Sequence, residues 1–186
     1  MTEGVGVGEH PTPVAAAPPS RGEVGGAQVR LFLSTYVNKV DRKGRVSVPA
    51  PFRTVLSGQN SSGILTFRSF KHNALDCSGL DRVQEMAAQL DTIPEFSEEY
   101  ENLAALFADM KTLPLDSEGR IILPEDLLQF VGITDSVAFV GQGKNFQIWE
   151  PAAQEAHQEA RRQSARASGF TLPTSRPVAP IVGATP

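Results

Sequence analysis

The chain has only one cysteine, Cys77, in its 186 residues. A single cysteine excludes an internal disulfide and cannot supply the thiolate set of a structural zinc site, so a reducing cytosol is the simpler setting. The histidines, His10, His72 and His157, are scattered, and we predict no metal site. No apolar run approaches the length of about 20 residues that a membrane-spanning helix needs.

Residues 1–28 lack leucine, isoleucine and aromatic side chains and are rich in glycine and proline. Such a segment buries too little apolar area to offset the entropy lost on ordering. It also lacks the basic start and continuous apolar core of a secretory signal. We therefore predict a disordered arm over residues 1–30. A second disordered segment is predicted over residues 170–186, which contain four prolines and no periodic apolar pattern.

Signals for catalysis are weak. His72 and Cys77 could form a dyad, but no orienting third group is apparent, and an isolated cysteine in a strand is usually a small core residue. Gly141-x-Gly143 lacks the third glycine of a dinucleotide-binding motif, since Phe146 occupies that position. The sequence thus predicts neither an enzyme nor a cofactor.

The charge is divided unevenly along the chain, although the total is only −4. Residues 29–72 carry eight bases and one acid, a formal charge of +7. Residues 73–150 carry four bases and fifteen acids, a formal charge of −11. This asymmetry indicates either an anionic partner for the basic part or a solvated basic face balanced by the acidic part, and charge alone leaves both open.

A ten-residue pattern occurs twice, at Val40–Pro49 and at Leu115–Pro124. In each copy an apolar residue leads into Asp-x-x-Gly-Arg, and a β-favouring run ending in proline follows. The second copy lies 75 positions after the first. A repeat at fixed spacing indicates one supersecondary unit used twice.

Each copy predicts strand, tight turn and strand, because aspartate bonds the backbone ahead of it and glycine accepts a positive φ at the turn exit. We interpret each as a local hairpin followed by a short helix, with further strands and helices completing the chain. One unit of roughly 45 residues is too small to close a core, whereas two could form a small barrel without free edges. The fold class is therefore α+β with a β core. The intervening helices could cover one flank or contact a neighbouring subunit.

Arg45 and Arg120 each follow a predicted turn, so their guanidinium groups are candidates for pairing with phosphate or with guanine. The alternative role is an ion pair with the aspartate of the same turn. We favour that structural role for Arg120, because Asp116 and Glu118 flank it. We favour a binding role for Arg45, which has the bases Arg42, Lys43 and Arg53 nearby.

The run from Phe32 to Arg53 and the run from Leu115 to Trp149 together resemble the MraZ family, over about residues 31–169. This resemblance implies two tandem AbrB-like (SpoVT-AbrB) swapped-hairpin units that form a small pseudo-symmetric β-barrel, with a helical insert and a C-terminal helix. Three departures are an extra N-terminal arm, Ser34 at a position often held by glycine, and the proline-rich tail. The implied divisions are an arm (1–30), a first unit (35–82), a helical insert (83–109), a second unit (110–153), a C-terminal helix (154–169) and a tail (170–186).

By the same resemblance, the chain is expected to be a cytoplasmic, nucleoid-associated transcriptional repressor that assembles into a ring-like homo-oligomer. It would bind tandem short repeats in the double-stranded DNA upstream of a division and cell-wall gene cluster, its own promoter included. The expected DNA-binding residues are Lys39, Arg42, Lys43, Arg45 and Arg53. The expected structural residues of the two motifs are Asp41, Gly44, Asp116, Gly119 and Arg120. A protein-interaction module, antitoxin-like or scaffolding, is the alternative, with the basic turn binding an acidic protein. No membrane, metal or small-molecule substrate is expected.

Overall fold

The computed structural model describes residues 31–59 and 61–171. Eight strands and five helices occur within these residues. In chain order they are β1 (Thr35–Lys39), β2 (Arg45–Ser47), α1 (Ala50–Gly58), β3 (Gly63–Arg68), β4 (Ala74–Ser78), α2 (Leu80–Leu90), α3 (Glu98–Asp109), β5 (Lys111–Pro114), β6 (Arg120–Ile122), α4 (Glu125–Val131), β7 (Ser136–Gly141), β8 (Phe146–Trp149) and α5 (Pro151–Ala167). The mixed α and β composition with a β core is confirmed.

The strands form two antiparallel sheets. The larger has the order β1-β7-β8-β4-β3-β5, and the smaller is a two-stranded ribbon of β2 and β6. The order of the large sheet is symmetric about the β4–β8 pair, because shifts of 71–76 residues relate β1 to β5, β3 to β7 and β4 to β8. The repeat in the sequence therefore corresponds to a pseudo-twofold relation between the halves.

The predicted local hairpins are wrong. β1 pairs with β7 and β2 pairs with β6, so the strands on either side of the first turn share only the bridge between Val40 and Val46. Each half instead exchanges strands with the other half. The physical reason is burial: the single ribbon places Val46 and Ile121 opposite each other in the core, where both are 1% exposed. A separate hairpin in each half would leave these side chains without apolar partners.

The core lies between the large sheet and the ribbon with its helices. Its centre is an aromatic cluster in which the ring of Phe52 from α1 contacts Phe32, Phe139 and Phe146, with centroids 5.1–6.3 Å apart. Apolar side chains from both halves complete it, so neither half buries its apolar face alone. Helices α1 and α4 begin directly after Pro49 and Pro124, where proline is favoured because its missing N–H has no partner in the first turn.

The helices outside the core are more exposed. α3 has no fully buried residue, and Phe96 just before it is 96% exposed. No helix among the described residues is both long and apolar enough to cross a bilayer. The predicted arm (1–30) lies outside the described residues, as does the predicted tail beyond Thr171. The proposed division of the chain into units stays a prediction.

The first strand begins one residue later than its composition indicates. Ser34 has φ +71°, which is the left-handed region and not a strand conformation. Its carbonyl oxygen accepts the N–H of Gly141 at 2.9 Å, so the strained residue is held in place by β7. A side chain at Gly141 is excluded, because its Cβ would lie 2.5 Å from the carbonyl oxygen of Phe32.

Candidate nucleic-acid interface

The first Asp-x-x-Gly-Arg motif forms a tight turn closed by one carboxylate. Asp41 Oδ1 accepts the backbone N–H groups of Lys43 and Arg45 at 2.8 and 3.0 Å. Asp41 Oδ2 accepts Arg45 Nε at 2.6 Å. Gly44 has φ +75°, and a Cβ there would lie 2.5 Å from the carbonyl oxygen of Leu123. The turn therefore requires both the aspartate and the glycine.

The second motif repeats these contacts. Asp116 Oδ1 accepts the N–H groups of Glu118 and Arg120, both at 2.9 Å, and its Oδ2 accepts Arg120 Nε at 2.8 Å. In both turns the hydrogen bonds from the backbone N–H groups, and next those from the arginine side chain, lower the pKa of the aspartate. Both carboxylates therefore stay ionised below the pH at which an ordinary aspartate is protonated.

The two turns differ in charge at two equivalent positions, because Arg42 and Lys43 of the first turn stand where Ser117 and Glu118 stand in the second. Arg120 makes a second ion pair, from its Nη1 to Glu118 Oε2 at 2.6 Å. The residue equivalent to Glu118 in the first turn is Lys43, so the terminal nitrogens of Arg45 have no acidic partner among residues 31–59 and 61–171. Arg42 and Lys43 are exposed, and their side chains are in no ion pair within those ranges. The first turn therefore presents three cations against one carboxylate.

The two turns lie at opposite ends of the β2–β6 ribbon. Leu123 N donates to Gly44 O at 2.9 Å, and Val48 N donates to Gly119 O at 3.0 Å. Each turn is thus joined to the strand that follows the other turn. The hydrogen bond with Asp116 is the largest cause of the raised pKa of Arg120, and the charge of Asp41 raises this pKa further. The two motifs therefore lie within electrostatic range of each other.

Arg53 is placed against the second turn and not the first. A Cβ on Gly119, which has φ +74°, would collide with the Arg53 guanidinium and side-chain carbons, so the arginine lies directly over this glycine. The position equivalent to Arg53 in the second half is Leu128, whose Cδ1 packs near Gly44. Arg53 is exposed and adds a cation beside the turn whose own arginine is neutralised.

Lys39 ends β1, where it is exposed and aligned with Ser136. Its neighbour Asn38 was not among the predicted residues, yet Asn38 Nδ2 donates to Ser47 O at 2.7 Å and ties β1 to the ribbon.

Ile122 in β6 was also not among the predicted residues, and it is 58% exposed beside Arg45. The two consecutive isoleucines in β6 were the available signal, since only one of two adjacent strand residues can face the core.

His72 and Cys77 do not form a catalytic pair. Burial raises the pKa of the Cys77 thiol, so the group is protonated and a poor nucleophile. Its Sγ lies 3.2 Å from Thr66 Oγ1. The His72 ring instead contacts Trp149 and His157, with centroids 5.2 and 4.5 Å away. No group of three or more potential metal ligands is present in the described part of the chain.

An exposed turn with unpaired cations, held rigidly on a β scaffold, has the features of a polyanion-binding protein. Comparison with known proteins identifies the family of the chain. A family model described as "MraZ protein, putative antitoxin-like" matches residues 106–171.

Relatives named "Transcriptional regulator MraZ" match most of the chain. The one from Pelagibacter ubique is 41% identical over 143 residues, covering 76% of this chain and 92% of the relative. Those from Xanthobacter autotrophicus and Gluconobacter oxydans are each 45% identical, over 73% and 78% of this chain and 87% and 89% of their own lengths. The chain therefore belongs to the MraZ family.

Proposed function

We propose that this chain is a DNA-binding transcriptional regulator that contacts double-stranded promoter DNA with the first turn. The observation that carries the proposal is the difference between the turns: Arg42, Lys43 and Arg45 outnumber the single carboxylate of Asp41 in the first turn, whereas Arg120 in the second turn is paired with both Asp116 and Glu118. Neutralisation of phosphates supplies much of the affinity of proteins for DNA. Two further cations of the proposed interface are Lys39, at the end of β1, and Arg53, which lies over the second turn.

The architecture proposed for this surface is a pair of AbrB-like units with swapped strands. The reciprocal hydrogen bonds from Leu123 to Gly44 and from Val48 to Gly119 support it, because each unit completes the other. In this arrangement the β2–β6 ribbon would close the six-stranded sheet into a barrel and hold both turns rigid. Rigid turns favour binding because fewer conformations are lost on association.

Oligomerisation follows from the energetics of one such surface. A well-placed bidentate arginine–base contact gives about 1–3 kcal/mol of discrimination. Specific regulators bind with a Kd of about 10⁻⁸ M or tighter, which corresponds to about −11 kcal/mol. One turn with one or two reading side chains supplies only part of this free energy. Several identical turns on a ring-like homo-oligomer, bound to tandem repeats, would supply the rest through effective concentration.

The proposed biological role is repression at the promoter of a division and cell-wall gene cluster that includes the chain's own gene, with the protein located in the cytoplasm at the nucleoid. The names of the relatives support regulation of transcription. Occupation of promoter DNA would be sufficient for repression, and no chemistry is needed.

Salt dependence of binding to bare duplex DNA tests the proposal. The logarithm of the affinity should fall steeply with the logarithm of salt concentration, and Lys43→Ala and Arg45→Ala should each reduce that slope by about 1. Lys144→Ala, which removes a cation paired with Glu85 on the acidic part of the chain, is the matched control and should leave the slope unchanged. A second measurement compares probes with one and three repeats. Equal affinity for both would contradict the role of the oligomer.

The second candidate is a protein-interaction module, which the "antitoxin-like" wording of the family model favours. The same cationic turn would then bind an acidic protein surface. Weak, nearly salt-independent association with duplex DNA, alongside tight binding to an acidic partner protein, would support this candidate over the first.

A further inference from the structure

The outer face of the β2–β6 ribbon carries one large apolar side chain among polar and charged ones. Four side chains form this face: Arg45, Ser47, Arg120 and Ile122. Val46 and Ile121 point to the opposite side and are buried. Ile122 is 58% exposed, so more than half of its surface is open to solvent. An apolar side chain left open between two arginines indicates a surface completed by something else.

Ile122 and Arg45 stand directly side by side. The register pairs Arg45 with Ile122 and Ser47 with Arg120. The ladder hydrogen bonds at the flanking positions, Leu123 N to Gly44 O and Val48 N to Gly119 O, set the alternation of the ribbon. The Arg45–Ile122 pair is therefore of the non-hydrogen-bonded type, in which the Cβ atoms approach to about 4.5–5.5 Å. The side chains of Arg45 and Ile122 therefore leave the same face of the ribbon next to each other.

The two ends of this face are chemically unequal. At one end Arg45 has terminal nitrogens free of acidic partners within the described ranges, and Ile122 stands beside it. At the other end Arg120 is held by Asp116 and Glu118, and Ser47 occupies the place equivalent to Ile122. Only the end with Arg45 and Ile122 therefore has a guanidinium with free N–H donors next to an apolar side chain.

We propose that this ribbon face enters the DNA major groove, where Ile122 contacts the 5-methyl group of a thymine and Arg45 donates to a guanine within one or two base pairs of it. A two-stranded β-ribbon fits the major groove, and the thymine methyl is the apolar group that base edges present there. The inference rests on the proposed function and adds the chemistry of the bases that are read. Because only one end of the face carries both groups, each subunit reads its site in one orientation.

Substitution of deoxyuridine for thymine tests the contact, because deoxyuridine lacks only the methyl group. A random-sequence duplex library is first selected with the full chain, and the enriched site is then remade with deoxyuridine at one thymine at a time. The wild-type chain should lose about fourfold in affinity at one particular thymine, the effect of exposing one buried methyl group. Ile122→Ser, which copies the residue at the equivalent position, should bind the unmodified site more weakly. It should also show no further loss at that thymine. Ile122→Val keeps a branched apolar group and should retain most of the sensitivity.

Each outcome of this experiment either supports or overturns the proposed contact between Ile122 and a thymine methyl group. Coupling between Ile122 and one thymine methyl supports the proposal. A wild-type chain that tolerates deoxyuridine at every position, or an Ile122→Ser variant with undiminished sensitivity, overturns it while leaving the proposed function intact. A change in particle mass on Ile122→Ser with the deoxyuridine pattern unchanged would assign Ile122 to a subunit contact and also overturn it. Failure of the wild-type chain to enrich or bind any duplex would overturn both this inference and the proposed function.

Discussion

Asp41 and Asp116 hold their turns with the same three hydrogen bonds, so the contrast between the two motifs arises at the residues they flank. Lys43 and Glu118 occupy equivalent positions 75 residues apart. The glutamate contacts Arg120, while the lysine leaves Arg45 available. At the scale of single residues, charge differences at two positions, Arg42 against Ser117 and Lys43 against Glu118, therefore separate the proposed binding turn from the second turn.

Reversal of the charge at Lys43 and reversal of the charge at Glu118 should change the affinity for DNA in opposite directions. Lys43→Glu should lower the salt slope of binding by about 2, because it removes one cation and adds an anion. Glu118→Lys should raise affinity by releasing Arg120. Fluorescence anisotropy at fixed salt, with urea unfolding to verify the fold, measures both. An unchanged affinity for both variants would show that DNA does not approach either turn.

Ser34 should be replaceable by glycine with a gain in stability. Its φ of +71° brings the serine Cβ into steric conflict with the backbone, and glycine has no Cβ. We expect Ser34→Gly to raise the free energy of unfolding by about 0.5–1 kcal/mol, after allowance for the greater entropy of glycine in the unfolded chain. Ser47→Gly is the control: Ser47 lies in β2, so that variant should be destabilised. A loss of stability on Ser34→Gly, measured by urea unfolding, would contradict the steric account.

At the scale of elements, most strands and helices followed from local sequence, but their partners did not. Pro124 and Gly132 are the local signals for the two ends of α4, which runs from Glu125 to Val131. Alternation identified β2 and β6 equally well. It could not show that β2 pairs with β6, because alternation specifies which side chains are buried and not which strand covers them. The exposure of Ile122, in contrast, was open to prediction, because Ile121 and Ile122 are adjacent in β6 and only one of them can face the core.

The docking of α5 on the sheet should depend on pH. His157 in α5 lies against Trp149 of β8, with ring centroids 5.0 Å apart, and His72 is beside both. Burial, and then the charges of His72 and Arg161, lower the pKa of His157 below its usual value of about 6.5. The folded state thus favours the neutral ring. This contribution to stability is complete above pH about 6.5 and is lost as the pH falls through the lowered folded value.

Trp149 is the only tryptophan in the chain, so its fluorescence reports this contact directly. We expect the emission to change as the pH falls below about 6.5, since a protonated imidazole quenches an adjacent indole. His157→Gln should remove the transition. A transition that persists in this variant with its midpoint unchanged would contradict the assignment to His157.

At the scale of the whole molecule, the two halves cannot be separated by cutting the chain between them. Four pairings join strands across the halves: β1 with β7, β2 with β6, β3 with β5 and β4 with β8. We expect a chain cleaved at a specific protease site inserted after Glu95, between α2 and α3, to keep its native mass and DNA binding. Urea should then release two fragments. Spontaneous dissociation in native buffer would show that the cross-pairing is weak.

The exchange of strands also has a consequence during synthesis on the ribosome. β1, which ends at Lys39, has no strand to pair with until β7, which begins at Ser136, has been synthesised. β2 likewise has no partner until β6 has been synthesised. At about 5–20 residues per second, β1 emerges roughly 5–20 s ahead of β7. The nascent polypeptide therefore carries an open edge through most of its translation, and chaperones that shield such edges should influence the yield of this protein more than they influence its final stability.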